Sequence, residues 1–154
     1  MRMPGSATET EYRIALSAIL QAHDTLALER LRGARDNLPV AAKKFLVGIH
    51  PAQDGEGYFD VTLHLHGPDL YVLNRAIAPY RSLFSVRSID GSLEPDVPLF
   101  SDPYEVGFSV NDKIVDICMD WIEQLWAKFG GAGIPAFVFG AEGYGSVEKK
   151  PLLP

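Results

Sequence analysis

Side chains that could do chemistry are concentrated in one stretch, HPAQDGEGYFDVTLHLH, which runs from His50 to His66. Residues two apart on a β-strand point to the same side, so His64 and His66 could face one ion with Asp60 beside them. A catalytic zinc site needs three protein ligands and an open position. The stretch therefore allows a small enzyme, or a protein that binds a metal or another ligand on this face. The alternative, which the incomplete ligand set favours, is a structural hairpin whose outward-facing side chains are polar.

The other patterns that could carry chemistry are incomplete. DGEG at 54–57 lacks the spacing of a calcium loop, and its two acids would repel a phosphate. No G-x-S-x-G nucleophile motif is present. Cys118 lies in the middle of an apolar helix face, which is typical of a small buried side chain. The sequence predicts neither an enzyme nor a bound cofactor.

Size and composition indicate one folded domain spanning residues 1–154. The hydrophobic share is 47% and the charged share 22%, as in ordinary globular proteins. No apolar run is long enough to span a bilayer, and the polar start predicts no secretory signal. A single cysteine fits a reducing compartment, so we expect a cytoplasmic protein.

The net charge of −6 is unevenly distributed along the chain. Residues 51–123 carry thirteen acids and four bases, whereas the segments before and after them are slightly basic. Phosphate contacts need clustered lysine and arginine, so the sequence predicts no nucleic-acid partner, and it predicts no membrane partner either. An acidic centre would steer a basic protein partner, although it would equally serve as a solvated surface.

Periodicity predicts an α+β fold with a mainly antiparallel sheet. The capping box that begins at Thr8 predicts one helix to about Gly33. Alternation predicts a hairpin with Phe45, Val47 and Ile49 on its buried face. The remaining predictions follow in chain order. They are a short helix after Asp69 with Leu70, Leu73, Ala76 and Ile77 on one face, a strand at 104–110, a helix over 111–129 capped by Asn111 and ended by Gly130, a strand at 135–140, a glycine-rich turn and a short tail.

The predicted helix 111–129 has an interface-like edge. On a helical wheel, Met119 and Trp126 lie at the border of the apolar face. They adjoin an acidic stripe of Asp112, Asp116, Asp120 and Glu123. Aromatic and methionine side chains beside selective charges are typical of protein interfaces. The alternative is that Trp126 packs beneath a loop or a terminal strand.

The central segment DGEGYFDV…HGPDLYVLNRAIAP, residues 54–79, resembles immunity proteins of bacterial contact-dependent growth inhibition and related polymorphic toxin systems. This resemblance implies a non-enzymatic cytosolic protein that binds a cognate toxin domain, often a nuclease, and occludes its active site or substrate surface. A basic toxin would suit the acidic centre. The candidate partner-binding residues are Asp54, Glu56, Glu94, Asp96, Asp102, Asp112, Asp116, Met119, Asp120, Glu123 and Trp126.

Overall fold

The computed structural model describes residues 1–154 as a single α+β domain. It contains four α-helices, seven strands and three single 3₁₀ turns. The helices and strands are α1 (Glu9–Ala22), α2 (Asp24–Asp36), β1 (Lys44–Pro51), β2 (Phe59–His66), α3 (Leu70–Ala76), β3 (Ser82–Ser85), β4 (Arg87–Ile89), β5 (Ser92–Glu94), α4 (Val110–Phe129), β6 (Ala136–Gly140) and β7 (Lys149–Leu152).

The main sheet has five strands in the order β3-β2-β1-β6-β7, and β4 and β5 form a separate small hairpin. All pairs are antiparallel except β1 with β6. The register of β1 and β2 sets Lys44 opposite His66 at one end and Pro51 opposite Phe59 at the other. The predicted hairpin and the mainly antiparallel sheet are therefore confirmed.

Helices cover one face of this sheet. The predicted inward side chains of β1, which are Phe45, Val47 and Ile49, are fully buried, and α4 packs on both β1 and β6. The intervening side chains of β1, β2 and β6 are mostly half-buried, so the opposite face is open to solvent. None of the α-helices combines the length and apolar character needed to cross a bilayer.

The first helical segment differs from the prediction of one helix. Thr8 does cap α1, because its hydroxyl accepts a hydrogen bond from the Glu11 N–H at 3.1 Å. The helix ends at Ala22 and a second one begins at Asp24, since His23 tightens the last turn by donating its N–H to the Leu20 carbonyl. Helix α2 continues past Gly33, where the Tyr80 ring fills the space that a Cβ would occupy.

The predictions for residues 104–110 and for the start of α4 are partly wrong. Residues 103–105 form a 3₁₀ turn instead of a strand, and Ser109 caps α4 by accepting the Asp112 N–H. Asn111 is buried and donates from its side chain to the Ala52 carbonyl, so it ties α4 to the hairpin loop. Gly130 ends the helix with φ 88°, as predicted.

Met119 and Trp126 do not form an exposed edge, and the alternative prediction, in which Trp126 packs beneath a terminal strand, is confirmed. Met119 is completely buried and Trp126 is 2% exposed. The predicted tail is also a strand, β7, and the chain after it passes over Trp126, whose indole N–H donates to the Leu153 carbonyl at 2.6 Å. Because the end of the chain covers it, Trp126 becomes a core residue.

Tyr12 gives the first testable prediction. Its ring packs against Phe100 and Phe108 in the core, but its buried hydroxyl has no hydrogen-bond partner. Burial also raises the pKa of this phenol. Because Tyr12→Phe removes an unsatisfied polar group and keeps the ring, we expect the free energy of unfolding to rise by about 1 kcal/mol. Urea denaturation would measure it, and a clear loss of stability would show that the hydroxyl is satisfied.

Candidate functional site

Two histidines and an arginine form a hydrogen-bonded chain on the open face of the sheet. Nε2 of His50 and Nε2 of His64 are 3.2 Å apart, and Nη2 of Arg81 lies 3.0 Å from Nδ1 of His64. Arginine only donates, so Nδ1 of His64 must accept. A neutral His64 then carries its proton on Nε2 and donates it to His50. Arg81 thus fixes the tautomer of both rings.

The surroundings of His64 favour its neutral form. Burial, the Arg81 charge and the neighbouring His50 and His66 rings lower the pKa of His64 to about 4, against a small opposing effect of Asp60. The ring therefore carries no charge at neutral pH. It can accept or pass a proton only in a strongly acidic medium.

This pKa predicts a pH dependence. Between pH 6.5 and 4, His64 binds a proton in the unfolded state but not in the folded state. The free energy of unfolding should therefore fall as the pH is lowered through that range. After allowance for the ring's partial exposure, we expect a loss on the order of 1–2 kcal/mol. The pH dependence of unfolding in the wild type and in His64→Gln would measure it.

By NMR titration, Arg81→Gln should raise the pKa of His64, and an unchanged value would contradict the arrangement.

The structure does not assemble the metal ligands considered from the sequence. His64 pairs with His50, His66 is exposed at the end of β2, and Asp60 accepts the Thr62 hydroxyl at 3.0 Å. No three histidine, cysteine or acidic side chains come together as a metal site. A metal on Nε2 of His64 would also move the proton to Nδ1, which would then face the Arg81 donor.

A cleft of about 560 Å³ lies on the same open face. Its apolar lining comes from Leu46, Phe137 and Phe139, and Lys149 lies over the Phe137 ring at 5.1 Å. Charged side chains of both signs surround this lining, namely Lys44, Glu142, Glu148 and Lys149. The cleft can accommodate a small molecule with an apolar body, and its charges do not select one sign.

The four acids of the α4 stripe form hydrogen bonds and ion pairs with other residues of the same chain. Asp112 accepts the Gly145 N–H, and Asp116 accepts both the N–H and the hydroxyl of Ser146 at 2.8 and 2.6 Å. The other two stripe residues form ion pairs with basic side chains, Asp120 with Arg13 and Glu123 with Lys150. The stripe therefore holds the segment before β7 against α4, and none of its four acids lacks a partner.

The five remaining candidate acids and Glu105 lie on one surface at the hairpin-loop end of the sheet, which we call the acidic pole. It comprises the loop 52–58 and the segment 94–105, which together carry six carboxylates and no lysine or arginine. The Phe100 N–H donates to the Glu56 carbonyl at 2.8 Å and joins the two segments. Gly57 has φ 118° and lies so close to Pro98 that a Cβ would stand 2.6 Å from its carbonyl oxygen, so only glycine fits there.

The carboxylates of the acidic pole are largely unpaired. Asp96 binds the amino group of Met1, whereas none of the other five forms an ion pair. Two of them stabilise the loops in which they lie, because Asp54 accepts a hydrogen bond from the Glu56 N–H and Asp102 accepts one from the Tyr104 N–H. The other three acids are Glu56, Glu94 and Glu105. Two arginines lie close to this surface, because Arg2 forms a bridge with Leu99 and Arg87 is paired with Glu94 across β4 and β5. The surface nevertheless keeps a net negative charge.

An exposed aromatic ring stands on this pole. Tyr104 is 98% exposed, and it is held on the 3₁₀ turn 103–105 that Asp102 caps. An exposed tyrosine among carboxylates that form no ion pair is typical of an interface anchor. Tyr104 was not predicted as a contact residue because the sequence pattern placed it in a strand. The aspartate–proline pair before it was the available signal of a turn.

Comparisons with known proteins give one match. Residues 7–153 match a protein-family model described as a family of unknown function (DUF6389). No curated protein matches, and no solved structure does.

Proposed function

The chain belongs to the DUF6389 family, whose function is unknown, and on that premise we propose that it is a non-enzymatic protein that binds and neutralises a basic protein partner through its acidic pole. The supporting observation is that the almost fully exposed Tyr104 lies on a surface where five of the six carboxylates form no ion pair. Interfaces concentrate their binding energy in such aromatic anchors. Net negative charge around the anchor selects a basic partner and accelerates its approach.

The most specific form of this proposal is an immunity protein that inhibits a bacterial toxin domain. The resemblance of residues 54–79 to immunity proteins supports it, and this segment begins in the hairpin loop of the acidic pole. A nucleic-acid-cleaving toxin needs basic residues along its substrate surface. A rigid acidic pole placed on that surface would exclude the nucleic acid by occlusion, without chemistry. We place this action in the cytosol.

Growth protection tests this function. The candidate toxin domain, identified by capture with this protein, is expressed from an inducible promoter together with the wild type or with the pole variant Glu56→Lys/Glu105→Lys. We expect protection by the wild type and loss of protection by the variant. The control Glu29→Lys/Glu148→Lys makes the same charge change at exposed acids elsewhere and should still protect. Equal protection by both variants would remove the acidic pole from the mechanism.

A second candidate function is the binding of a small ligand in the cleft on the open sheet face. It is favoured by the apolar lining, in which the Phe139 ring lies 6.1 Å from the neutral His64 ring between centroids. Native mass spectrometry of protein purified gently from its own host should then show an added mass. Phe139→Ser should lose that mass, and a wild type without it would argue against this second function.

A further inference from the structure

Large apolar side chains are exposed at the end of the sheet where β1 begins and β2 ends. Val40, at a tight turn before β1, is fully exposed, and Leu70, Tyr71 and Val72 in the first turn of α3 are 52%, 73% and 57% exposed. Of the apolar face predicted for α3, only Leu73 and Ile77 are buried, whereas Leu70 and Ala76 are exposed. A patch of this kind on a folded protein marks a contact surface.

The turn and the helix form one surface. The Lys43 N–H donates to the His66 carbonyl at 2.7 Å, which fixes the turn against the end of β2. Between them lies Gly67, where a Cβ would stand 2.7 Å from Leu73 Cδ1 and 2.8 Å from the Ala41 carbonyl oxygen. The exposed apolar residues of both segments therefore belong to the same end of the molecule, which we call the basic pole.

The basic pole also carries unpaired positive charge. Lys43, Lys44 and Arg75 are exposed, and none of them forms an ion pair. Asp69 is the one acid in segments 38–44 and 66–78, and its carboxylate accepts the Val72 N–H as the cap of α3. The pole thus combines apolar side chains with a net positive charge.

The two poles lie at opposite ends of the hairpin. Lys44 and His66 are paired at one end of β1 and β2, and the loop of the acidic pole joins the other end. Eight residues of strand separate them by roughly 25 Å. A partner that attracts the basic pole would therefore leave the acidic pole pointing away from it.

We propose that the basic pole docks the protein on an anionic lipid surface, with Val40, Leu70 and Tyr71 entering the interface and Lys43, Lys44 and Arg75 contacting the headgroups. The apolar side chains stand on a turn and a helix start and are exposed by half or more, which suits shallow insertion. Cations beside them are attracted to anionic headgroups. This proposal does not depend on the proposed function. It replaces the expectation of no membrane partner, because the exposed apolar side chains of α3 can be recognised only in the folded structure.

Vesicle co-sedimentation of the whole chain tests the proposal. We expect binding to vesicles of phosphatidylcholine with phosphatidylserine and little binding to phosphatidylcholine alone, with a decrease at high salt. Lys43→Gln/Lys44→Gln should weaken binding by about fivefold for each charge removed. Leu70→Ser/Tyr71→Ser should weaken it on the order of tenfold or more. Circular dichroism checks that each variant folds, and the lysine variant removes no ion pair within the protein.

Control variants distinguish docking from general stickiness. Ile14→Ser and Tyr104→Ser remove exposed apolar side chains elsewhere and should leave vesicle binding unchanged. Absence of binding to anionic vesicles, equal binding to neutral ones, or insensitivity to both basic-pole variants would overturn the proposal. Binding of an acidic soluble protein at this pole without any vesicle binding would overturn it in favour of a protein interface.

Discussion

Replacing Trp126 by alanine should lower the free energy of unfolding by about 3–5 kcal/mol, as expected for a large aromatic side chain removed from a core. The ring makes edge contacts with Phe45 at 5.5 Å and Phe129 at 4.9 Å between centroids, so it joins β1 to the end of α4. Its N–H also holds the Leu153 carbonyl. The substitution would leave a cavity, an unpaired carbonyl and a loosened chain end.

Urea denaturation at neutral pH would measure this effect. Trp126→Phe keeps most of the ring packing and loses the hydrogen bond, so it should cost clearly less than alanine. Ile14→Ala, at a side chain that is 66% exposed, should change stability by no more than about 0.5 kcal/mol. A Trp126→Ala protein within about 1 kcal/mol of the wild type would show that the indole is not a core group and would revive its role as a partner contact.

Replacing Tyr104 by alanine should weaken partner binding by about 2–4 kcal/mol, which is roughly 30- to 1000-fold in the dissociation constant. The side chain packs on little of its own chain, so we expect the stability of the free protein to stay within about 0.5 kcal/mol of the wild type. Surface plasmon resonance with the captured partner would separate this loss from any folding defect.

The matched control for Tyr104 lies at the other end of the molecule. Tyr71 is also an exposed tyrosine on a short helical turn, so Tyr71→Ala should leave the affinity for the protein partner unchanged. In the vesicle assay the opposite is expected: Tyr71→Ala should weaken binding and Tyr104→Ala should leave it unchanged. If Tyr71→Ala and Tyr104→Ala weakened the same interaction equally, the assignment of separate partners to the two poles would be wrong.

Local patterns in the sequence predicted the hairpin, the apolar face of α4 and its glycine end correctly. Each depends on residues near each other in sequence, such as the alternation from Phe45 to Ile49 or the positive φ that Gly130 provides. The break at His23 was missed because an amphipathic pattern continues through it. Strand β7 was missed because KKPL carries no apolar alternation and becomes a strand by pairing with β6.

Which residues form the candidate site is decided by contacts between segments that are distant in the sequence, and local patterns do not show these contacts. Asp116 looked like a free interface acid, but its partner Ser146 lies 30 residues away. Trp126 looked like an edge residue because the wheel of α4 does not show that the chain end returns over it. The acids of the two acidic-pole segments were identified in the sequence, whereas their meeting through Phe100 and Glu56 is a property of the fold.

The most direct test of the acidic pole is a comparative capture from the native host, read by mass spectrometry. Tagged wild type, Glu56→Lys/Glu105→Lys and the control Glu29→Lys/Glu148→Lys are used side by side. We predict that one basic protein is recovered in stoichiometric amount by the wild type and the control and is lost from the pole variant. Recovery of the same proteins by all three, or of no stoichiometric partner by the wild type, would contradict a partner-binding acidic pole.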